Sequence, residues 1–355
     1  MFSSSKIIMS SASVILAGWL FISGCGSLTS SSSGATTSTG STTTTIFNRV
    51  TALSSAETWM YQINGLDYIG ALSALAATEY PLLVIDPVYT VQGSESFNIV
   101  SAINVLKTTP TGKRRLILAY IDIGEAEDFR TYWQPDWVSP ESGKAGSPDF
   151  MVAVDPDGWS GNYPVAFWDD RWRAIWLGNS GLIHQLAAEG FDGVYLDWVE
   201  AYDDNHVIAK AVSQGYNATW CADQMLGFIS DIKAEGRKVT NDFVVVAQNS
   251  PYLIDRNPNM YTGSVDAYAG EDTWFSGQAD AGWNSPLAGD IPNTWTGDYT
   301  TAALLNQYEV IKSHGLPVFT IDYCLLATNE AFVYNAARAH GLRPLVTRVS
   351  LDHLP

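Results

Sequence analysis

The stretch GFDGVYLDWVEAY, Gly190–Tyr202, decides how the chain is read. Gly193–Leu196 is a run of small, branched and aromatic residues that reads as a buried strand. Asp197 stands where the apolar run stops, and Trp198, Glu200 and Tyr202 follow. A carboxylate at the end of a buried strand is unfavourable unless it is paired or solvated. Taken alone, Asp197 is better read as a helix N-cap or a structural ion pair than as half of a catalytic pair. The pattern around it reverses that balance.

The same motif recurs along the chain. Apolar runs at Thr58–Ile63, Leu82–Ile85, Leu116–Ile123, Phe243–Ala247, Val265–Ala269, Pro317–Ile321 and Leu345–Val349 predict seven further strands. Between them, helical spacing predicts helices over Asp67–Ala77, Phe97–Leu106, Asp169–Glu189, Asp223–Lys238, Thr300–Ser313 and Asn329–His340. Strands that alternate with helices pair in parallel, and continuous apolar runs suit a sheet buried on both faces. Eight such units over roughly 300 residues predict a (β/α)8 TIM barrel. A long Trp-, Pro-, Asp- and Gly-rich insertion follows the third strand, at Ala126–Trp168. The competing doubly wound sheet lacks a glycine-rich phosphate fingerprint after the first strand.

In a barrel all these strand ends converge on one face, where active sites lie. Asp86, Asp122, Asn249, Glu271 and Asp322 each sit just past an apolar run, as Asp197 does. Independent caps do not explain so many polar strand ends. Acids crowded in this way raise one another's pKa. Glycoside hydrolysis needs that chemistry: one carboxylate as nucleophile or base and one carboxylic acid as proton donor. Divalent-metal binding is the competing use of the ring, but no compact DxDxDG loop is present.

Composition narrows the partners. The net charge of -18 argues against nucleic acid, which calls for clustered Lys and Arg. Trp is abundant, at 13 residues, which suits stacking on flat ligand faces as well as core packing. With 3 Cys, 5 scattered His and no CxxC pair, a structural zinc site is not expected, and no cofactor is implied.

The first 24 residues read as a targeting segment, with Lys6 ahead of a short apolar region. Ile22-Ser23-Gly24-Cys25 resembles the lipobox of bacterial lipoproteins, which makes Cys25 the expected lipidation site. An uncleaved membrane anchor is the alternative; Ser10, Ser11 and Ser13 interrupt the apolar stretch, which is short for a span of ~20 residues. Residues 25–45, almost wholly Ser, Thr and Gly, read as a tether, and residues 46–355 as the barrel domain. The expected location is the cell envelope, lipid-anchored to the membrane and facing periplasm or exterior. In an oxidising compartment Cys221 and Cys324 are available for one disulfide.

From Thr58 to Leu354 the chain resembles the bacterial and fungal endo-α-1,4-polygalactosaminidases, glycoside hydrolase family 114. The resembling segments are WMYQI at Trp59, LLVIDP at Leu82, AYIDIGEAEDFR at Ala119 and FWDDRWR at Phe167, then the opening stretch. QMLGFISDI at Gln224, VVAQN at Val245, DAYAGEDTWF at Asp266 and FTIDYC at Phe319 complete the set. The resemblance implies a TIM-barrel hydrolase whose catalytic pair is Asp197 and Glu271, as nucleophile and general acid/base. It also implies a sugar site lined by Asp86, Tyr120, Asp122, Glu125, Asn249 and Asp322. Trp168 and Trp274 are candidate stacking residues, and Glu200 ranks as a supporting residue. The implied substrate is an α-1,4-linked galactosamine polymer, partly N-acetylated. Ser250 departs from the pattern where relatives often carry Gly, and is expected to narrow the site. A non-catalytic carbohydrate-binding lipoprotein, or a glycosidase for another glycan, are the competing readings.

Overall fold

The computed structural model describes residues 47–355; the targeting segment, Cys25 and the tether lie outside the described residues. Eight strands form one parallel sheet: β1 Trp59–Gln62, β2 Leu82–Ile85, β3 Leu116–Asp122, β4 Gly193–Asp197, β5 Val244–Gln248, β6 Ala267–Glu271, β7 Val318–Tyr323 and β8 Arg343–Thr347. Their order in the sheet is their order in the chain. This is the (β/α)8 barrel, nearly closed. At the seam, among the described residues, no ladder joins β1 to β8. The gap is spanned by the Trp59 indole N–H donating to the Arg343 carbonyl at 3.0 Å and by Asn64 N–H donating to Leu351 O at 3.1 Å.

The barrel interior is filled with rings. Trp59, Tyr61, Tyr120, Tyr195 and Phe319 come from four strands and pack with centroids 5.0–6.1 Å apart. Strand side chains alternate between faces, so the residues at even spacing from these rings also point inward. Tyr120 pairs with Tyr195 and Asp122 with Asp197, which puts both acids on the inner side of the barrel mouth.

Three expectations on the elements need revision. The predicted helix over Asp169–Glu189 is two helices, Asp170–Trp176 and Leu182–Glu189, broken where Gly178 adopts φ 88°. The helix expected from Asp223 starts earlier, at Ala218, because Asn217 caps it by accepting from the Trp220 N–H. The helix expected over Asp67–Ala77 is shorter, Ala71–Ala76, since Gly70 enters it in the left-handed conformation. Cys221 and Cys324 are both free thiols rather than a disulfide, and burial pushes them up to about 11 and about 12.

The insertion after β3 folds onto the barrel. It opens with an antiparallel ribbon, Glu125–Glu127 against Asn162–Pro164. Trp133, Trp137 and Phe150 pack edge to face and continue onto Trp172 of the following helix. Much of the chain's Trp content is therefore packing.

Candidate active site

The C-terminal strand ends open into a cavity of about 1320 Å³. Asp86, Tyr120, Asp122, Glu125, Asp197, Asn249 and Glu271 all line it. Asp197 holds two hydrogen bonds: Oδ2 accepts from the Tyr120 hydroxyl at 2.7 Å and Oδ1 from the Trp198 N–H at 2.8 Å. Burial raises its pKa above the usual aspartate value, and those two donors moderate the rise.

Glu271 ends β6 and is surrounded by donors. Its Oε2 accepts from the side-chain amides of Gln248 and, at 3.1 Å, Asn249; its Oε1 accepts from the Tyr323 hydroxyl. Asn249 also accepts from the Glu271 N–H at 2.9 Å, so one amide fixes both the backbone and the carboxylate. Burial, with the nearby Asp197 charge, still pushes Glu271 up to about 7. A carboxyl at that value can hold a proton on Oε1 and donate it, with Tyr323 reversing its hydrogen bond.

The backbone aims this set. The residues that follow β4, β5 and β6 directly, or in the case of β6 the residue after Glu271, are Trp198, Asn249 and Asp272, all with positive φ of 51–56°. Non-glycine residues rarely hold that conformation, and three together at a site mark strain supported by the surrounding fold. Gly124 is required nearby: a Cβ there would lie 2.0 Å from the Trp198 carbonyl oxygen.

The remaining expected site residues divide. Asp86 lines the cavity but is clamped by Arg130 at 2.7 Å, and the same guanidinium holds Glu127 at 2.7 Å. Asp122 accepts from Gly124 N–H at 3.0 Å and Glu125 N–H at 2.7 Å, shaping the turn below the mouth. Burial, Asp197 and Glu127 hold it well above the usual range. Glu125 accepts from Asn162 at 3.2 Å, tying β3's end to the insertion.

Asp322 is fully buried and outside the cavity lining. It accepts from Trp274 N–H at 2.6 Å and Phe275 N–H at 2.9 Å, and burial pushes it up to about 7. Trp168 and Trp274 also lie outside the lining. Trp168 donates to Gln214 at 2.9 Å and packs on Trp220; Trp274 packs on Phe332. Ser250 is buried and outside the lining as well, so it does not narrow the site.

Three residues not expected to bind sugar stand in the lining: Tyr323, Glu200 and Asp272. Glu200 and Asp272 each keep one buried oxygen without a hydrogen-bond partner, and burial holds both well above the usual range. The inward parity of Phe319, Ile321 and Tyr323 was the available signal for the tyrosine. Among the described residues, no group of three or more His, Cys, Asp or Glu side chains is placed to hold a metal ion.

A (β/α)8 barrel whose mouth carries a hydrogen-bonded aspartate and a proton-holding glutamate defines a class, the barrel glycoside hydrolases. The sequence model of glycoside-hydrolase family GH114 matches residues 40–354, and the chain belongs to that family. It is 32% identical over 308 residues to an uncharacterised protein of Deinococcus radiodurans, covering 85% of this chain and 84% of that one. An uncharacterised protein of Methanocaldococcus jannaschii is 29% identical over 221 residues, 62% of this chain and 57% of the relative. In fold, the chain is similar to the glycoside hydrolase domain of PelA from Pseudomonas aeruginosa, with TM-score 0.52 and 15% identity over 84% of this chain and 96% of that domain. It is similar to Ega3 of Aspergillus fumigatus, crystallised with galactosamine, with TM-score 0.52 and 12% identity over 84% of this chain and 93% of that one.

Proposed function

We propose that this chain is an endo-acting glycosidase that cleaves α-1,4-linked galactosamine polysaccharide, partly N-acetylated, with Asp197 as nucleophile and Glu271 as general acid/base. The observation that carries this reading is the division of labour between the two acids. Asp197 is stabilised as an anion by Tyr120 and the Trp198 N–H, while Glu271 is pushed up to about 7 and can be protonated at neutral pH. In this reading Asp197 attacks the anomeric carbon while Glu271 protonates the leaving oxygen. Glu271 then takes a proton from the water that releases the sugar from Asp197. The galactosamine bound in the Ega3 crystal, a neighbour in fold, and the family to which this chain belongs support the choice of sugar. We further propose that the enzyme is a lipoprotein, held in the cell envelope through lipid on Cys25.

The test is reducing-end release from a panel of amino-sugar polymers. Partly deacetylated α-1,4-galactosaminan is expected to be cut, and Asp197→Asn and Glu271→Gln are each expected to abolish cutting while remaining folded. Cleavage by either variant at the parent rate refutes the pair; cleavage of a different polymer alone refutes the sugar.

A further inference from the structure

Few flat surfaces in the cavity are free to take a pyranose. A sugar ring offers an apolar C–H face that seats on an exposed aromatic ring. Of the indoles in the cavity lining, Trp198 is only 8% exposed, which leaves Trp159 at 37% and Trp295 at 46%. Trp295 packs edge-on against Tyr299. Among the described residues, Trp159 has no aromatic partner, yet its loop is firmly built.

That loop reads Asp155-Pro156-Asp157-Gly158-Trp159-Ser160-Gly161-Asn162 and belongs to the insertion. Asp155 is buried, and its Oδ1 accepts from Gly158 N–H at 2.5 Å and Trp159 N–H at 3.0 Å. Gly158 and Gly161 flank the indole with φ 97° and 92°, turns that side-chain-bearing residues rarely make. Gly161 also sits where a Cβ would lie 2.8 Å from Asp128 Oδ1. On the far side, Ser160 N–H reaches Asp280 Oδ2 at 3.4 Å, on the segment that follows β6, the strand carrying Glu271. An exposed indole held from below and from across the mouth is pre-organised for a ligand.

We propose that Trp159 is the aromatic platform of an outer sugar subsite built by the insertion, with Asp155 as its positioning residue. This rests on the glycosidase reading above and adds where a long chain is gripped away from the cleaved bond. A subsite of this kind binds long substrates and is invisible to short ones. It sets the preferred chain length without touching the chemical step.

The experiment uses the full chain and a length series of α-1,4-galactosamine oligosaccharides. Calorimetry in the Glu271→Gln background measures binding without turnover. Adding Trp159→Ala is expected to weaken the longest oligomers by roughly tenfold and leave the shortest unchanged, while Trp159→Phe keeps most of the affinity. Asp155→Ala is expected to reproduce part of the loss, and Asp155→Asn, which keeps the accepting oxygen, is not. In the catalytically intact chain, Trp159→Ala raises KM for polymer by a similar factor at unchanged kcat. Parent-like affinity of Trp159→Ala at every length overturns the subsite even when the parent cleaves polymer. If the parent releases no reducing ends but Trp159→Ala still weakens long-oligomer binding, the subsite stands and the hydrolase reading fails. Absence of binding by every oligomer overturns both.

Discussion

Strand β4 has an aspartate at each end, and the two live in opposite electrostatic worlds. At the bottom, Asp192 precedes the strand, is wholly buried, and is met by Arg49 at 2.8 Å, Arg114 at 2.6 Å and the Ile117 N–H at 3.0 Å. Asp266, before β6, is likewise met by Lys233 at 2.9 Å and the Val245 N–H at 2.9 Å. At the mouth, Asp197 meets no cation within ion-pair distance among the described residues. The one cation among the described residues of the cavity lining, Arg130, is already committed to Asp86 and Glu127. Asp122, Glu200 and Asp272 each keep a buried oxygen unpartnered. The same residue type closes its electrostatics at one end of the barrel and leaves them open at the other. The closed end serves stability; at the open end burial without a cation raises the carboxyls' affinity for a proton.

The sharpest break of that comparison is at the mouth. Glu271→Gln is expected to reduce turnover on the cleaved glycan by at least about 10³-fold with Tm nearly unchanged. In the parent, kcat/KM is expected to fall as pH rises through about 7, as the Glu271 proton is lost. Asp192→Ala reverses the pattern. Leaving Arg49, Arg114 and the Ile117 amide without their acceptor is expected to destabilise the fold by about 3 kcal/mol in denaturant unfolding, while kcat measured well below Tm stays the same.

Asp322→Asn tests the buried acid that holds a loop. Its folded pKa is raised, so the native state keeps the proton through the window from the ordinary aspartate value to about 7. The stability that this proton supports is full below that window and is lost as pH rises through it. The asparagine keeps an accepting oxygen for Trp274 and Phe275 and has nothing to ionise. Its stability relative to the parent is therefore expected to improve by on the order of 3 kcal/mol between pH 5 and pH 8. A pH-independent difference in parallel unfolding curves counts against the raised value. The smallest effect is that of Tyr120→Phe, which removes one donor from Asp197 and is expected to lower kcat severalfold without moving Tm.

The barrel was legible because each strand is a continuous apolar run with a polar terminus, and β4 spans the residues its pattern predicts. Strand parity was legible too, but strand-end position alone misleads. Asp322 ends an apolar run like Asp197, yet it lies one residue out of phase with Phe319, Ile321 and Tyr323 and turns to the Trp274–Phe275 backbone. Which tryptophan stays bare at the mouth was not legible. Trp159, Trp168 and Trp274 all fall in loop-like, aromatic-rich sequence, and which indole stays bare depends on long-range neighbours such as Gln214, Trp220 and Phe332. The break at Gly178 was legible in principle, because Gly178-Asn179-Ser180-Gly181 is a run of turn-forming residues that interrupts the apolar spacing.

The seam between β1 and β8 has a consequence for how the barrel breathes. Without a ladder there, the outer amides of Trp59–Gln62 are guarded by packing and a few cross-links such as the Trp59 indole to the Arg343 carbonyl. Local opening starts where backbone hydrogen bonding is thinnest. In hydrogen–deuterium exchange, peptides from β1 and β8 are expected to take up label ahead of those from β3 to β6. The two terminal strands then act as a slow-opening slit in a wall that is otherwise continuous.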